Sequence, residues 1–268
     1  MKGTLVSVML LVTAVAGWRG ARADGPQTKA LRYVPNESFG LGETLNYDVS
    51  YGFLTAGRAT MAIDPALQFM NDHKCFHVAF DVASLSSFDW LYKVRDHYDT
   101  YIDIDGIYPV RFEQHIREGK YKRDFSATFD QTAHTVSTTD NSTYQVPEFV
   151  HDILSAYYFV RTLDLKSMHK DDVVHLSNFY KNKTHELDVR ILGRQQVEVE
   201  AGTFKCVVIE PLVKEGGLFK SEGRIVIWLS DDDRKIPVKV STKVVIGSID
   251  AVLTSYSGTR GPVAARVE

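Results

Sequence analysis

The stretch Pro147-Glu-Phe-Val-His-Asp-Ile-Leu-Ser-Ala-Tyr-Tyr-Phe-Val-Arg161 is the one strong helix pattern in a chain that otherwise alternates like β-strands. Pro147 suits the first turn of a helix, while Asp152 and Arg161 lie nearer the positive and negative ends of the helix dipole, respectively. The residues between them leave almost no polar face. The pattern therefore predicts a helix over residues 147–161 that is buried on most sides and covers or plugs a sheet.

The strands are predicted on both sides of this helix, from apolar and polar residues that alternate with a period of two. Before the helix, the predicted strands are 45–51, 59–63, 76–82, 90–104, 110–116, 121–129 and 136–138. After it, they are 173–179, 186–193, 196–200, 204–212, 223–229, 236–245 and 248–256. One helix between two runs of strands argues against βαβ repeats. About a dozen strands are too many for a flat sheet, so we expect a mainly β fold, a strongly curved antiparallel sheet or half-barrel with one central helix inserted.

The N-terminus has the three parts of a secretory signal peptide: a basic start, an apolar run over residues 5–16 and the small-residue pair Ala21 and Ala23. We expect a signal peptide over residues 1–23 with cleavage after Ala23; an uncleaved anchor is the alternative. No cysteine lies near the cleavage site to carry a lipid. The sequence thus predicts a soluble periplasmic protein with a single β-rich domain over residues 24–256 and a flexible tail over residues 257–268.

The composition limits the classes of partner that the protein is expected to bind. Without Lys2, Arg19 and Arg22 the chain has 28 basic residues against 34 acidic ones, a net charge of −6. This balance argues against a nucleic-acid partner. Cys75 and Cys206 are the two cysteines, and in an oxidising compartment they either pair as a disulfide or remain two separate buried thiols.

Four motifs occur in order along the chain. They are Gly42-Glu-Thr-Leu-Asn-Tyr-Asp-Val-Ser-Tyr-Gly52, Asp152-x-Leu-Ser-Ala-Tyr-Tyr-x-x-Arg161, Ala201-Gly-Thr-Phe-Lys-Cys206 and Ile227-Trp-Leu-Ser-Asp-Asp-x-Arg234-x-Ile-Pro237. Together they resemble the exported bacterial proteins of the domain of unknown function 3108. The resemblance implies an exported, mostly β protein of Gram-negative type bacteria, and it supplies no catalytic residues. In the helix, it marks Asp152, Ser155, Tyr158 and Arg161 as a structural motif.

Aromatic residues in or beside the strands and helix are candidates for a ligand-binding surface, because aromatic side chains on one face of a curved sheet line either a packed core or an apolar cavity. The candidates are Tyr47, Tyr51, Phe80, Trp90, Tyr92, Tyr157 and Trp228. The same residue types serve both purposes, so the sequence leaves the two open.

The sequence gives weaker indications of a catalytic site than of a ligand-binding surface. His151, Asp152 and Ser155 lie three or four residues apart on the predicted helix, but no Gly-x-Ser-x-Gly turn exposes the serine. Asp96 and Asp99 lie on a predicted strand whose alternation places them on opposite faces. No spacing of ligands predicts a metal or a cofactor.

These observations favour a non-enzymatic periplasmic binding or carrier module for an apolar or amphipathic envelope ligand, a lipid or a polymer. Two alternatives stay open. One is a cell-envelope hydrolase that uses the acidic strand residues, and the other is a structural or interaction protein with a solid core.

Overall fold

The computed structural model describes residues 31–213, 223–244 and 247–267. Within these residues the chain forms fifteen strands and one α-helix. The elements are β1 (Thr44–Tyr51), β2 (Leu54–Ile63), β3 (Gln68–Met70), β4 (His73–Ser84), β5 (Arg95–Asp103), β6 (Pro109–Glu118), β7 (Tyr121–Asp130), β8 (Thr135–Thr138), β9 (Thr143–Gln145), α1 (Ile153–Thr162), β10 (Val173–Tyr180), β11 (Lys183–Val199), β12 (Gly202–Val213), β13 (Ile225–Ser230), β14 (Pro237–Lys243) and β15 (Ser248–Ser257).

All the strands belong to one antiparallel sheet. Its order is β10-β11-β12-β13-β14-β15-β1-β2-β4-β5-β6-β7-β8-β9, and β3 pairs with β4 beside this path. The strands at the two ends of this order, β10 and β9, do not pair with each other in the described residues, so the sheet is not a closed barrel. The mainly β, antiparallel architecture with one inserted helix is the one that the sequence predicts.

The sheet curls until its two edges approach each other. The ring of Phe179 in β10 lies 6.3 Å from the ring of Phe129 in β7 and 5.5 Å from that of Tyr144 in β9, measured between centroids. These strands stand at opposite ends of the strand order, so a flat sheet would keep them far apart. α1 lies against β10 and β5, inside this curve.

Helix α1 divides the buried residues into two main clusters. Leu154 and Tyr158 pack into the larger core, with residues of β1, β2, β4 to β8, β12, β14 and β15. Ala156 and Val160 pack into a second cluster with aliphatic residues of β11, β12 and β13. The helix is therefore buried on two opposite sides, which is why its sequence has so little polar face.

The helix begins later than predicted, at Ile153 instead of Pro147. Phe149 has a left-handed backbone with φ of 54°, and Asp152 is extended with φ of −81° and ψ of 178°. His151 instead extends the sheet, since its N–H donates to Ser177 O at 2.8 Å and its carbonyl accepts from the N–H of Phe179 at 2.8 Å. Strand pairing of residue 151 and the cap at residue 152 thus take the first six residues out of the helix.

Several strand boundaries also differ. β5 begins at Arg95, and not near residue 90, because residues 85–94 form a turn-rich loop before it. The two strands predicted over 186–193 and 196–200 are one strand, β11, with a bulge after Ile191 that Gly193 accommodates with φ of 125°. The three-residue strands β3 and β9 are too short to give a period-two pattern.

The predicted flexible tail is wrong for the residues that the structure describes. The N–H of Lys205 donates to Ala265 O at 2.9 Å, and the N–H of Ala265 donates to Asp232 Oδ2 at 2.8 Å. Arg266 forms a β-bridge with Phe204, and Ala265 is buried. Residues after 256 therefore attach to β12 by hydrogen bonds. No periodic pattern in the sequence predicts these contacts.

The predicted signal peptide lies outside the described residues. In the described part of the chain, no helix has the length and apolar content needed to cross a bilayer.

Candidate functional site

The C-terminal end of α1 is held by a buried ion pair. Arg161 Nη1 lies 2.6 Å from Glu43 Oε1, and Nη2 lies 2.8 Å from Oε2, with both side chains almost completely buried. The same guanidinium donates to the carbonyls of Ser38 and Arg234 at 3.3 and 3.0 Å. This bidentate geometry fixes the helix to the segment before β1 and to the turn before β14.

The N-terminal end of α1 is held by a capping box. Asp152 Oδ1 accepts from the N–H groups of Leu154 and Ser155 at 2.7 and 2.9 Å, and Ser155 Oγ accepts from the N–H of Asp152 at 3.0 Å. Asp152 Oδ2 accepts from Thr100 Oγ1 in β5 at 2.7 Å. Burial raises the pKa of Asp152, although these hydrogen bonds oppose the shift. The helix is thus anchored to the sheet at both ends.

His151 and Ser155 do not form a nucleophile and base. Burial lowers the pKa of His151 to about 3, and Arg32 adds to this effect, so the imidazole is neutral. Its Nε2 lies 3.2 Å from Arg32 Nη2 and accepts from it, which leaves the proton on Nδ1, 3.3 Å from Ser155 Oγ. The imidazole therefore donates towards Ser155 and has no free lone pair with which to take its proton.

An apolar cavity of about 200 Å³ lies between α1 and the sheet. Its helix wall consists of Ile153, Leu154, Ala156, Tyr157 and Val160. Most of its sheet wall consists of Leu187, Val189, Ile209, Pro211, Ile225 and Ile227, from β11, β12 and β13. Carbon atoms form nearly the whole lining, so the cavity suits an apolar group better than water.

Tyr157 lines this cavity, and its hydroxyl lies within the electrostatic range of the buried Arg161 and Glu43. Its hydroxyl is buried and has no hydrogen-bond partner among the described residues. Burial raises the pKa of Tyr157, which keeps the phenol protonated. A buried hydroxyl without a partner costs about 1–3 kcal/mol.

The aromatic residues that the sequence singled out do not converge. Tyr157 lines the cavity, whereas Tyr47 is buried in the core and donates its hydroxyl to Pro237 O at 3.0 Å. Trp228 donates its indole N–H to Gln195 Oε1 at 2.8 Å, and Phe80 packs against the core. The remaining three are exposed at turns: Tyr51, Trp90 and Tyr92.

The cavity wall that sequence reasoning missed is aliphatic. Leu187, Val189 and Ile191 alternate along β11, and Ile225 and Ile227 along β13, as residues of any half-buried strand do. The available signal was the low aromatic content of these strands compared with β4 to β7. This difference in composition indicates that these strands have a different environment from the strands of the main core, but it does not locate a cavity.

A row of imidazoles and carboxylates crosses the face of β4 and β5 that is opposite to the main core. His77 lies between Asp64 and Asp99, with Nδ1 to Oδ2 at 2.8 Å and Nε2 to Oδ1 at 2.7 Å. His97 lies between Asp81 and Asp99, with Nδ1 to Oδ1 at 2.7 Å and Nε2 to Oδ2 at 2.8 Å. Asp99 therefore accepts from both imidazoles.

These contacts shift the pKa values of the row. The hydrogen bond to Asp99 raises the pKa of His77; burial opposes this shift and Asp64 adds to it. Burial alone would lower the pKa of His97, but Asp81 and Asp99 outweigh it and raise the value. Burial would raise the pKa of Asp99, but the two histidines lower it.

Asp96 and Asp99 do not act as a catalytic pair of carboxylates. Asp96 is buried on the other face of β5, where its Oδ1 accepts from the N–H of Arg117 at 2.7 Å. Asp99 is occupied by the two imidazoles. General acid and base catalysis on one substrate needs both groups on the same side, which this strand does not provide.

Cys75 and Cys206 are two free, buried thiols, which is one of the two alternatives that the sequence leaves open. Cys75 lies in β4 in a small cluster with Tyr108 and Val110, whereas Cys206 lies in β12 in the main core. Cys75 shares its face of β4 with His77, opposite to the main core, whereas Cys206 belongs to that core, so the two thiols lie in separate clusters.

The turn at residues 231–234 is structural. Asp232 Oδ1 accepts from Ser230 Oγ at 2.8 Å and from the N–H groups of Arg234 and Lys235 at 2.9 and 3.1 Å. Over residues 31–213, 223–244 and 247–267, no three His, Cys, Asp or Glu side chains come together as ligands for a metal.

Comparison with solved structures identifies the fold. The chain is similar to a beta-barrel-like protein of the domain of unknown function DUF1849 from Brucella abortus, with 12% identity, a TM-score of 0.57, and coverage of 85% of this chain and 99% of that chain. A Bacteroides fragilis protein with a YmcC-like fold has 10% identity and a TM-score of 0.37, covering 85% of this chain and 100% of that chain. At such identities the likeness concerns the fold alone.

In sequence, no curated protein is significantly similar to the chain. The model of the family described as proteins of unknown function (DUF3108) matches residues 46–254, which is most of the chain. The chain therefore belongs to the DUF3108 family.

Proposed function

We propose that this protein is a non-enzymatic binding or carrier module of the periplasm that holds the apolar part of an envelope ligand against α1. The observation that carries the proposal is the apolar cavity of about 200 Å³ between α1 and β11 to β13. A concave and mainly apolar pocket is the usual form of a small-molecule binding site.

The size of the cavity limits what it holds. An engineered cavity of about 150 Å³ with an aliphatic and aromatic lining binds benzene. Pockets for drug-sized ligands measure about 300–1,000 Å³. The cavity therefore takes a small apolar group or the end of one acyl chain, and not a whole lipid. Each buried methylene contributes about 0.8 kcal/mol, which makes a chain end a useful anchor.

The Tyr157 hydroxyl favours an amphipathic ligand. It is a buried donor without a hydrogen-bond partner in the described residues, and it belongs to a residue that lines the apolar cavity. An ester or carboxyl oxygen of the ligand would accept its hydrogen bond. Tyr157→Phe removes this donor and keeps the ring, so it tests the polar contact separately from the apolar one.

Anchoring of α1 at both ends supports a preformed site. Asp152 caps the helix onto Thr100 of β5, and Arg161 fixes the other end to Glu43. We therefore expect the ligand to enter a standing cavity, and we do not expect α1 to swing away as a lid. Preformed pockets bind with less loss of conformational freedom.

The proposed location is supported by the N-terminal sequence, whose basic start, apolar run and small-residue site resemble those of a cleaved secretory leader. Cell fractionation with mass spectrometry of the purified chain should find the N-terminus near Asp24 in the soluble periplasm. An intact N-terminus in the inner-membrane fraction would contradict the location.

The binding function is tested by extraction. Organic extracts of the protein purified after export should contain one class of apolar or amphipathic compound in stoichiometric amount. Ile227→Trp, which fills the cavity, should lose that compound, whereas Val173→Trp, at an exposed position away from the cavity, should keep it. Equal extracts from both variants, each checked for folding by circular dichroism, would refute the proposal.

A further inference from the structure

One end of the sheet collects the turns that carry most of the exposed aromatic residues. Tyr51 pairs with Leu54 across the turn at 52–53, Gly57 pairs with Ser84 before the loop 85–94, and Val94 bridges to Glu118 beside the turn at 119–120. Because neighbouring antiparallel strands share their ends, these three connections lie at the same end of the sheet. The turn at 181–182 reaches this end too, through the register of β10 to β15.

We use the name aromatic rim for five exposed residues at this end of the sheet: Phe53, Trp90, Leu91, Tyr92 and Tyr121. Phe53 is 95% exposed, Trp90 82% and Leu91 67%. Of the large apolar side chains that are exposed in the described residues, most lie at this end of the sheet. A contiguous exposed apolar surface on a folded protein marks an interaction site.

The loop that presents Trp90 and Leu91 is held in place by side chains at its base. Asp89 accepts from Ser84 Oγ at 2.6 Å and from Arg95 Nη2 at 2.7 Å. At the far side, the N–H of Gly119 donates to Lys93 O at 2.8 Å. The two apolar residues at the tip are therefore exposed by a built loop, and not by a loose one.

Gly119 shows how closely this loop meets the next turn. Its φ is 56°, and a Cβ at this position would lie 3.1 Å from the ring of Tyr92. The Tyr92 ring thus covers the turn at 119–120 and joins the loop 85–94 to the β6–β7 hairpin. The rim is one continuous surface over these two connections.

The charge around the rim is basic. Lys93, Lys120 and Lys122 are exposed beside the aromatic residues, and Lys181 and Lys183 are exposed at the β10–β11 turn of the same end. Of the acidic residues there, Asp89 is paired with Arg95, and Glu118 accepts a hydrogen bond from the Tyr92 hydroxyl. The chain after residue 23 carries a net charge of −6, so this basic end stands against the charge of the whole protein.

We propose that the aromatic rim docks on the surface of a bilayer that contains anionic phospholipid. Aromatic rings with a polar atom favour the level of the lipid headgroups, and exposed Trp and Leu side chains enter the acyl boundary. Lysines beside them are attracted to anionic headgroups, each by about 1 kcal/mol. The occupant that matches both the apolar tips and the basic border is a lipid surface.

Part of the cavity lining lies near the same end of the sheet. Pro211, Ile225 and Asn178 line the cavity and lie within a few residues of the ends of β12, β13 and β10 at the rim. Docking would bring the cavity near the bilayer, where an amphipathic ligand is exchanged. The docking itself does not depend on the cavity or its ligand.

The test is binding of the exported chain to vesicles, measured by co-sedimentation. Vesicles of phosphatidylglycerol and phosphatidylethanolamine should bind the protein, and vesicles of phosphatidylcholine should bind it much less. The double variant Trp90→Ser, Leu91→Ser should lower the partition constant by roughly tenfold or more. Lys120→Gln with Lys122→Gln should lower it by roughly thirtyfold at low salt, and added salt should abolish this difference.

Phe69 supplies the matched control, because it is 72% exposed but lies in β3, which pairs with the start of β4 at the opposite end of the sheet. Phe69→Ser should bind vesicles as the unchanged protein does, and so should the cavity variant Ile227→Trp. Equal loss in Phe69→Ser and the rim variants would overturn the proposal, and so would no binding to anionic vesicles.

A second measurement reports insertion directly. With the leader removed at residue 23 and Trp228 replaced by Phe, Trp90 is the sole tryptophan. Its emission should shift to shorter wavelength on anionic vesicles and be quenched by brominated acyl chains. Binding without any change in Trp90 emission would show that another surface makes the contact.

Discussion

Arg161 and Glu43 form a bidentate ion pair inside the core, with Nη1–Oε1 at 2.6 Å and Nη2–Oε2 at 2.8 Å. The pair joins the last turn of α1 to the residue before β1, across 118 positions of sequence. Its importance lies in the cost of leaving either charge alone, because a buried ion pair seldom adds net stability over an apolar pair.

Glu43→Gln should therefore lower the free energy of unfolding by about 3–5 kcal/mol, since it leaves the Arg161 guanidinium buried without a counter-charge. Urea unfolding followed by circular dichroism measures the change. The double variant Glu43→Leu, Arg161→Met should recover most of the loss. As a surface control, Asp233→Asn, which breaks the exposed pair with Lys166, should cost less than about 1 kcal/mol.

Leu154→Ala should lower the free energy of unfolding by about 2–5 kcal/mol, because Leu154 is buried in the main core and its removal enlarges an existing void. Leu91→Ala, at an exposed position, should stay within about 0.5 kcal/mol. An unchanged melting temperature in Leu154→Ala, together with altered ligand retention, would mean that α1 is a mobile lid and not a fixed support.

The stability should depend on pH through His77. Its pKa is raised in the folded state, above the ordinary value of 6.5, mainly by the hydrogen bond to Asp99. The protonated imidazole therefore stabilises the fold fully below pH 6.5, and this contribution is lost as pH rises through the folded-state pKa. His77→Gln should be less stable than the unchanged chain at pH 6, and the gap should shrink at higher pH.

Asp99 sets the acid limit of the same contribution. Its pKa is lowered in the folded state, so the stabilisation by the ionised carboxylate is present above pH 3.8 and lost as pH falls through the folded-state pKa. A gap between His77→Gln and the unchanged chain that stays constant from pH 5 to 9 would refute this role of His77.

Cys75 and Cys206 should react with a thiol reagent only after unfolding. Burial raises the pKa of each thiol to about 12, so almost no thiolate is present in the folded protein at neutral pH. Denatured, unreduced protein should then give two labelled thiols per chain. Labelling of the denatured protein only after a reductant is added would show that the two cysteines form a disulfide.

The class of fold was predictable because strand alternation and a single apolar helix are properties of short segments. The start of α1 was not, since the pairing of His151 with β10 involves residues 27 positions away and competes with the local helix pattern. The attachment of Ala265 to Asp232 is likewise a long-range contact. The features that depend on neighbouring residues were predicted correctly, whereas the features that depend on contacts between residues far apart in the sequence were not.

The candidate site was less predictable than the fold. Aromatic residues drew attention to Tyr157, but also to Tyr47, which is a core residue with a satisfied hydroxyl. The rest of the cavity is aliphatic, and Leu187 or Ile225 looks the same in sequence whether it faces a void or a neighbour. Whether side chains meet depends on the curl of the sheet, which no single strand encodes.

The most direct test of the central claim is a fluorescence titration of delipidated protein with the apolar probe N-phenyl-1-naphthylamine, which brightens in an apolar site. The account predicts saturable binding at one site, lost in Ile227→Trp and kept in Val173→Trp, with both variants as stable as the unchanged chain. Binding that survives in Ile227→Trp, or no saturable binding by the unchanged chain, would contradict a ligand cavity beneath α1.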